Sequence, residues 1–336
     1  MGGNAAPSPC AAACEARSRL AARGSSAGPT AVQFDVPSRA DGPVVLVNPP
    51  PGALGLSHVV LSARARRHEV EGFPGPLSIK SVVRGTAEWR TEQGRFVLDP
   101  GAYLVLNQGR RYGMTVDSKV PVETLCVFFR GGFAADAAWA RSATEQRLLD
   151  DPETPRACTF EAEETLRPRD GLVVPELARL RAGLEAGGAT VLWLEERVHA
   201  LAAALVRAEA DLAGTAARLP AVRAATREEL SRRLRRARDA AEGALGERLT
   251  LARLAREACL STFHFHRAFT SLFGETPHAY VTRRRLERAR DALVGSERAV
   301  TEIALDHGFE SPSSFSTLFR RRFGMSPSEC RQGART

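Results

Sequence analysis

Between Phe34 and Phe129 the chain alternates short apolar runs with turn residues. The runs are VVLV (44–47), HVVLSA (58–63), LSIKSVV (77–83), AEWRT (87–91), RFVL (95–98), AYLVL (102–106), RYGMTV (111–116) and ETLCVFF (123–129). Gln93-Gly94 and Pro100-Gly101 separate some of them and suit tight turns. This rhythm predicts a small antiparallel sandwich or barrel over residues 32–150. After Phe133 the composition turns to Ala, Leu, Arg and Glu, which predicts helices over 151–225. Within 190–213, Val191, Leu194, Val198, Leu201 and Leu205 recur at steps of three and four, drawing one narrow apolar seam down a helix. The seam fits one partner, either a second copy in a homodimer or the chain's own barrel and the helix near Leu177–Leu184. A Pro-containing, Ala-rich linker follows at 214–225.

The last third repeats itself. At an offset of 50 residues Ser261 matches Ser311, Phe265 matches Phe315, Phe269 matches Phe319, Phe273 matches Phe323, Gly274 matches Gly324 and Pro277 matches Pro327. Each copy reads as helix, tight turn, helix, over 250–273 and 299–323 within an all-helical domain at 226–336. Thr250, Ser261 and Ser311 are the expected N-caps, Pro312 opens a helix, and Gly274 and Gly324 close the second helices. In the first copy Phe265, Ala268, Phe269 and Leu272 share the inward face, which leaves Phe263, His266, Arg267 and Thr270 outward. In the second copy Phe315, Leu318 and Phe319 point inward, and Ser313, Ser316, Thr317 and Arg320 outward. These eight are the candidate DNA-reading residues. Arg267 can grip guanine bidentately, His266 can bond a base edge, and Phe263 can press on thymine methyls, whereas the small hydroxylated second stripe suits phosphate and shape. Pro277 to Val294 reads as a helix joining the modules, with Thr282, Leu286, Ala289 and Leu293 inward. Around it lie Arg283, Arg284, Arg285 and Arg288, either for phosphate or paired with Glu287 and Asp291.

Charge sharpens the division. Residues 221–336 carry 22 Arg against 14 Asp and Glu, a net of +8, and this equals the net charge of all 336 residues. The remainder is neutral, as expected of a polyanion-binding module joined to a different domain. Residues 1–31 are Ala-, Gly-, Ser- and Pro-rich and interrupted by Glu15 and arginines, so they read as a disordered leader or an over-extended start, not an export signal. The apolar runs stay far short of the ~18 residues a membrane span needs, which favours a soluble, cytoplasmic protein. Six scattered cysteines fit reduced thiols; Cys10 and Cys14 remain candidates for metal binding or oxidation.

The segments TREELSRRLRRARD, LARLAREACLSTFHFHRAFTSLFGETPHAYVTRRRLERARDAL and TEIALDHGFESPSSFSTLFRRRFGMSPSECR resemble the AraC/XylS family of transcription activators over about Thr226 to Gln332. Cys330 precedes Arg331 where members often carry Tyr, and Thr317 stands where many have a basic residue. The resemblance implies a rigid double helix-turn-helix domain on promoter DNA, RNA polymerase as a further partner, and a cupin-like sensory barrel in front. The expected fold class is therefore α+β multidomain, an antiparallel barrel plus helices followed by the all-α domain. Only His58 and His68 are available to the barrel, without a His-x-His pair, so neither a metal, a cofactor nor a catalytic site is expected. Trp89, Tyr103 and Tyr112 with Arg84 or Arg90 form a weak candidate pocket for a small-molecule effector, or the aromatics are plain core. The alternative function is a repair-type enzyme whose N-terminal region does the chemistry and whose C-terminal domain delivers it to DNA.

Overall fold

Strand-forming runs pair into one sheet because an extended backbone leaves N–H and C=O groups to be satisfied along both edges. The computed structural model describes residues 46–48, 54–142, 160–187, 189–220 and 223–333; the leader at 1–31, Cys10, Cys14 and Cys158 lie outside them. Eight strands, β1 (Leu46–Asn48), β2 (Val59–Pro74), β3 (Ser78–Arg84), β4 (Ala87–Thr91), β5 (Gly94–Leu98), β6 (Ala102–Leu106), β7 (Arg111–Phe128) and β8 (Leu166–Pro168), form a nearly closed antiparallel sheet. Its order is β1-β2-β7-β3-β6-β8, with β4 bridging β7 and β5.

Two expectations need correction. The runs at 111–116 and 123–129 belong to one long strand, β7, whose first half pairs with β4 and whose second half pairs with β3. Its register against β2 jumps between Arg67↔Asp117 and Ala65↔Val122, so Pro121, which has no N–H to give, falls in the irregular stretch. The segment read as wholly helical supplies β8, which pairs through only Ala102↔Pro168 to Leu104↔Leu166. Three residues are too few to carry a period-two signal.

Strand alternation builds two cores. Trp89, Leu98, Leu104, Leu106, Tyr112 and Phe128 fill the sheet's interior. Ile79, Tyr103, Val105 and Val127 face the other way and meet the helices α1 (Phe133–Ser142), α2 (Val173–Glu185) and α3 (Val191–Thr215). The Thr190 hydroxyl caps α3 by accepting from the Trp193 amide at 3.2 Å.

The seam on α3 was expected to serve either a homodimer or its own chain. Leu194, Val198, Leu201 and Leu205 are buried against Leu177, Leu180 and the outer face of the sheet, while Val191 is 73% exposed. Of the two partners open to the seam, the chain's own sheet and α2 cover these four leucine and valine positions.

Among the described residues seven further α-helices follow: α4 (Ala224–Gly243), α5 (Leu251–Glu257), α6 (Thr262–Phe273), α7 (Pro277–Gly295), α8 (Val300–Asp306), α9 (Pro312–Phe323) and α10 (Pro327–Gly333). They enclose two separate cores. The first gathers Leu234 and Ala237 of α4, Leu254 of α5, Phe265 and Phe269 of α6, and Tyr280 and Val281 of α7. The second gathers Leu286, Ala289 and Leu293 of α7 with Ile303, Phe315 and Phe319. Helix α7 thus belongs to both modules, its first half to one core and its second half to the other.

Candidate nucleic-acid interface

Each helix-turn-helix is held by the local chemistry its sequence announces. Ser261 and Ser311 cap α6 and α9, their hydroxyls accepting from the amides of His264 at 3.3 Å and Ser314 at 3.2 Å. Gly274 and Gly324 end the same helices in the left-handed region, at φ 76° and 75°.

The turns match less simply than a constant offset of 50 implies. The Leu260 amide donates to Ala255 O at 2.9 Å and the Phe309 amide to Ala304 O at 3.1 Å, a spacing of 49 residues between the copies. The extra residue of the second copy therefore lies between Phe309 and Ser311. This places Cys259, at φ 51°, where the second copy has Gly308, at φ 76°. Both residues close a first helix with the same pair of hydrogen bonds, and only one of them is a glycine.

The outward faces fall as the periodicity requires. Phe263 is 71% exposed, and His266 and Arg267 are exposed beside it, with the Arg267 guanidinium carbon 5.6 Å from the Phe263 ring centroid. Thr270 is half-buried and donates its hydroxyl proton to His266 O at 2.8 Å. On α9, Ser313, Thr317 and Arg320 are exposed and Ser316 is half-buried. Ser316 and Thr317 donate to Pro312 O at 2.9 Å and Ser313 O at 3.0 Å, so both hydroxyl protons are engaged within the helix. Arg320 keeps one distant carboxylate, Glu329 at 4.0 Å. Sequence reasoning passed over His264, which is also exposed on α6.

Four arginines of α7 are engaged within the protein. Arg283 pairs with Glu275 at 2.7 Å and with Glu287 at 3.1 Å. Arg285 donates to the carbonyls of Leu245, Gly308 and Glu247. Arg284 and Arg288 reach Asp99 of the barrel and Glu242 of α4. Of the two readings open at the level of sequence, pairing holds here, with partners that periodicity could not name. Burial alone would raise the Asp99 carboxyl, but the Arg288 and Arg284 guanidiniums hold it below the usual carboxylate range.

The suggested barrel pocket does not assemble. Trp89 and Tyr112 lie in the interior core, whereas Tyr103 belongs to the outer one, where its hydroxyl donates to Asp170 Oδ2 at 2.6 Å. Arg90 is exposed and donates to Thr115 Oγ1 at 2.7 Å, and Arg84 is exposed as well. Strand alternation, which sends neighbouring side chains to opposite faces, separates residues that composition alone had grouped. The interior holds a different polar group that was not foreseen: Lys80, 1% exposed, donating to the Tyr112 hydroxyl at 2.9 Å and standing 3.8 Å from the Phe128 ring centroid. Burial pulls its ammonium down to about 8.

Two capped helix-turn-helix units, bridged by one helix and attached to an antiparallel sheet, define the class. The chain matches a helix-turn-helix domain family over residues 254–333. It is 40% identical over 83 residues to a probable transcriptional regulator, LumQ, of Photobacterium leiognathi, an alignment covering 25% of this chain and 34% of that protein. It is 42% identical over 92 residues to the transcriptional activator RhaS of Escherichia fergusonii, covering 27% of this chain and 33% of that one. A crystal structure of an AraC-type transcriptional regulator from Chromobacterium violaceum aligns at 28% identity and a TM-score of 0.30, over 33% of this chain and 96% of that one. The chain thus spans about a third of the length of these curated relatives. Residues 254–333 are a helix-turn-helix domain of the AraC type.

Proposed function

We propose that the protein is a sequence-specific DNA-binding transcription regulator, in which α6 and α9 enter successive major grooves on one face of the duplex. The observation that carries this reading is the pair of outward stripes on two equivalent second helices, with an exposed Phe263 that solvation does not explain. Helix α7 has 19 residues and spans ~28 Å at 1.5 Å per residue, of the order of the ~34 Å between successive grooves. Phe263, His266, Arg267 and Thr270 specify bases. Ser313, Ser316, Thr317 and Arg320 anchor the second module, with Arg320 supplying the cation for phosphate.

In this reading the chain acts on promoter DNA in the cytoplasm, without catalysis, and the sheet domain answers to a small-molecule effector or a partner protein. RhaS is named a transcriptional activator, which favours contact with RNA polymerase for this chain too. Among the described residues no helix is long and apolar enough to cross a membrane. Footprinting across the regions upstream of its own and neighbouring genes, at physiological salt, is the direct test. A protected site at least ~10³-fold tighter than bulk DNA is expected, and uniform weak binding would overturn the proposal.

A further inference from the structure

Among the described residues, a buried cluster of charge lies outside the candidate DNA-reading residues. It joins the sheet to the helical domain. Asp99 directly follows β5 and its last residue, Leu98, which is fully buried in the barrel interior. The tight turn orients the Asp99 carboxylate, because Oδ1 accepts from the Gly101 amide at 2.7 Å. Arg284 Nη2 donates to both Asp99 oxygens, at 3.0 and 2.8 Å, and Arg288 Nε donates to Oδ2 at 2.7 Å. Glu242 completes the ring, taking Arg284 Nε at 2.7 Å and Arg288 Nη2 at 2.9 Å. The four side chains are between 4% and 12% exposed, so solvent screens these pairs little.

Two geometric facts give the ring a direction of action. Arg284 and Arg288 flank Leu286, at the point where α7 passes from the first helical core to the second. A β-carbon on Gly101 would lie 2.8 Å from both Arg284 Nη1 and Asp99 Oδ1, so a side chain there would push on the ion pair itself. Helix α4 has its own attachment to the sheet: Asp239 accepts from the Thr165 hydroxyl at 2.6 Å and the Leu166 amide at 3.1 Å, and Arg235 pairs with Glu163 at 3.0 Å. With Asp99 neutralised, that seat would persist. Arg284 would keep Glu242 and Glu287, and Arg288 would keep Glu242 and the Val97 carbonyl, so α7 would lose its carboxylate partner on the barrel and hold its position less firmly.

We propose that the Asp99–Gly101 turn is the contact by which the barrel sets the position of α7, and with it the spacing of the two helix-turn-helix modules. As a signalling device this rests on the regulator reading above, in which the barrel receives an input. The mechanical link itself is independent of DNA.

Hydrogen exchange of the full chain, read by mass spectrometry, tests that link. In Asp99→Asn the amides of α7 should exchange about tenfold faster than in the wild type, with α4 and the central strands β2 and β7 unchanged. Gly101→Ala keeps every charge but wedges the turn, should give the same pattern, and serves if Asp99→Asn fails to fold. Leu98→Val, a small change inside the barrel, should speed exchange in α7 when Asp99 is present and add nothing in the Asp99→Asn background. Wild-type exchange in α7 of both turn variants would overturn the proposal, and so would an effect of Leu98→Val that is equal with and without Asp99. Because no DNA is present, a failed footprint would leave this result standing, and the reverse also holds.

Discussion

The Lys80 ammonium donates to the Tyr112 hydroxyl across 2.9 Å in the interior of the barrel, and among the described residues no hydrogen bond or ion pair joins it to a carboxylate. Its folded-state pKa, pulled down to about 8 by burial, lies below the value of about 10.4 expected of an unfolded lysine. Between those values the unfolded chain binds more protons than the folded one, so this group makes stability rise with pH across that window. The Cys126 thiol, raised by burial and facing Lys80 from β7, contributes the opposite slope. Lys80→Met separates the two. The variant should be more stable than wild type at pH 7 by an amount of the order of 3 kcal/mol, and the advantage should shrink as pH rises from 8 to 10.5. Urea unfolding at several pH values reads both, and an advantage independent of pH would contradict the assignment.

The two recognition helices should respond differently to loss of an arginine. Arg267→Ala should weaken binding to the protected site by about 1–3 kcal/mol and relax preference at one base position. Arg320→Ala should weaken all sequences alike and lower the slope of log affinity against log salt by about 1. Competition binding against a panel of single-base variants of the site, repeated at two salt concentrations, distinguishes the pair.

Cys259 holds a left-handed conformation that its counterpart Gly308 adopts freely. A side chain there carries a penalty of about 1–2 kcal/mol, part of which glycine's greater freedom in the unfolded chain cancels. Cys259→Gly should therefore raise the stability of the first module by about 0.5–1 kcal/mol, in contrast to the usual effect of introducing glycine. Thermal melts of the two proteins under reducing conditions provide the comparison.

Gly183 has the opposite character. A β-carbon there would come within 2.2 Å of the Trp193 ring, where α2 crosses α3. An exposed helical Gly→Ala change ordinarily stabilises by about 0.5–1 kcal/mol, but here overpacking should dominate and destabilise by about 1–3 kcal/mol. A lowered urea midpoint at unchanged slope is the expected signature.

Local chemistry and periodicity determined a great deal by themselves. Thr250, Ser261 and Ser311 cap the helices they were expected to cap, because a cap involves a hydroxyl and an amide three residues apart. The inward phenylalanines and the outward stripe around Arg267 follow from 3.6 residues per turn, and the tight turns and most strand runs from apolar alternation. What the tertiary structure decided are relationships between distant segments. The seam of Leu194, Val198 and Leu201 has the same period whether it meets a second chain or its own sheet, and only the packed structure supplies the neighbour. Trp89, Tyr103 and Tyr112 are all strand aromatics, yet register sends them to different cores. Arg284 finds Asp99 across 185 residues of sequence. No periodic signal can encode that pairing, because it exists only once the β5–β6 turn and α7 have been brought together by the burial of everything around them.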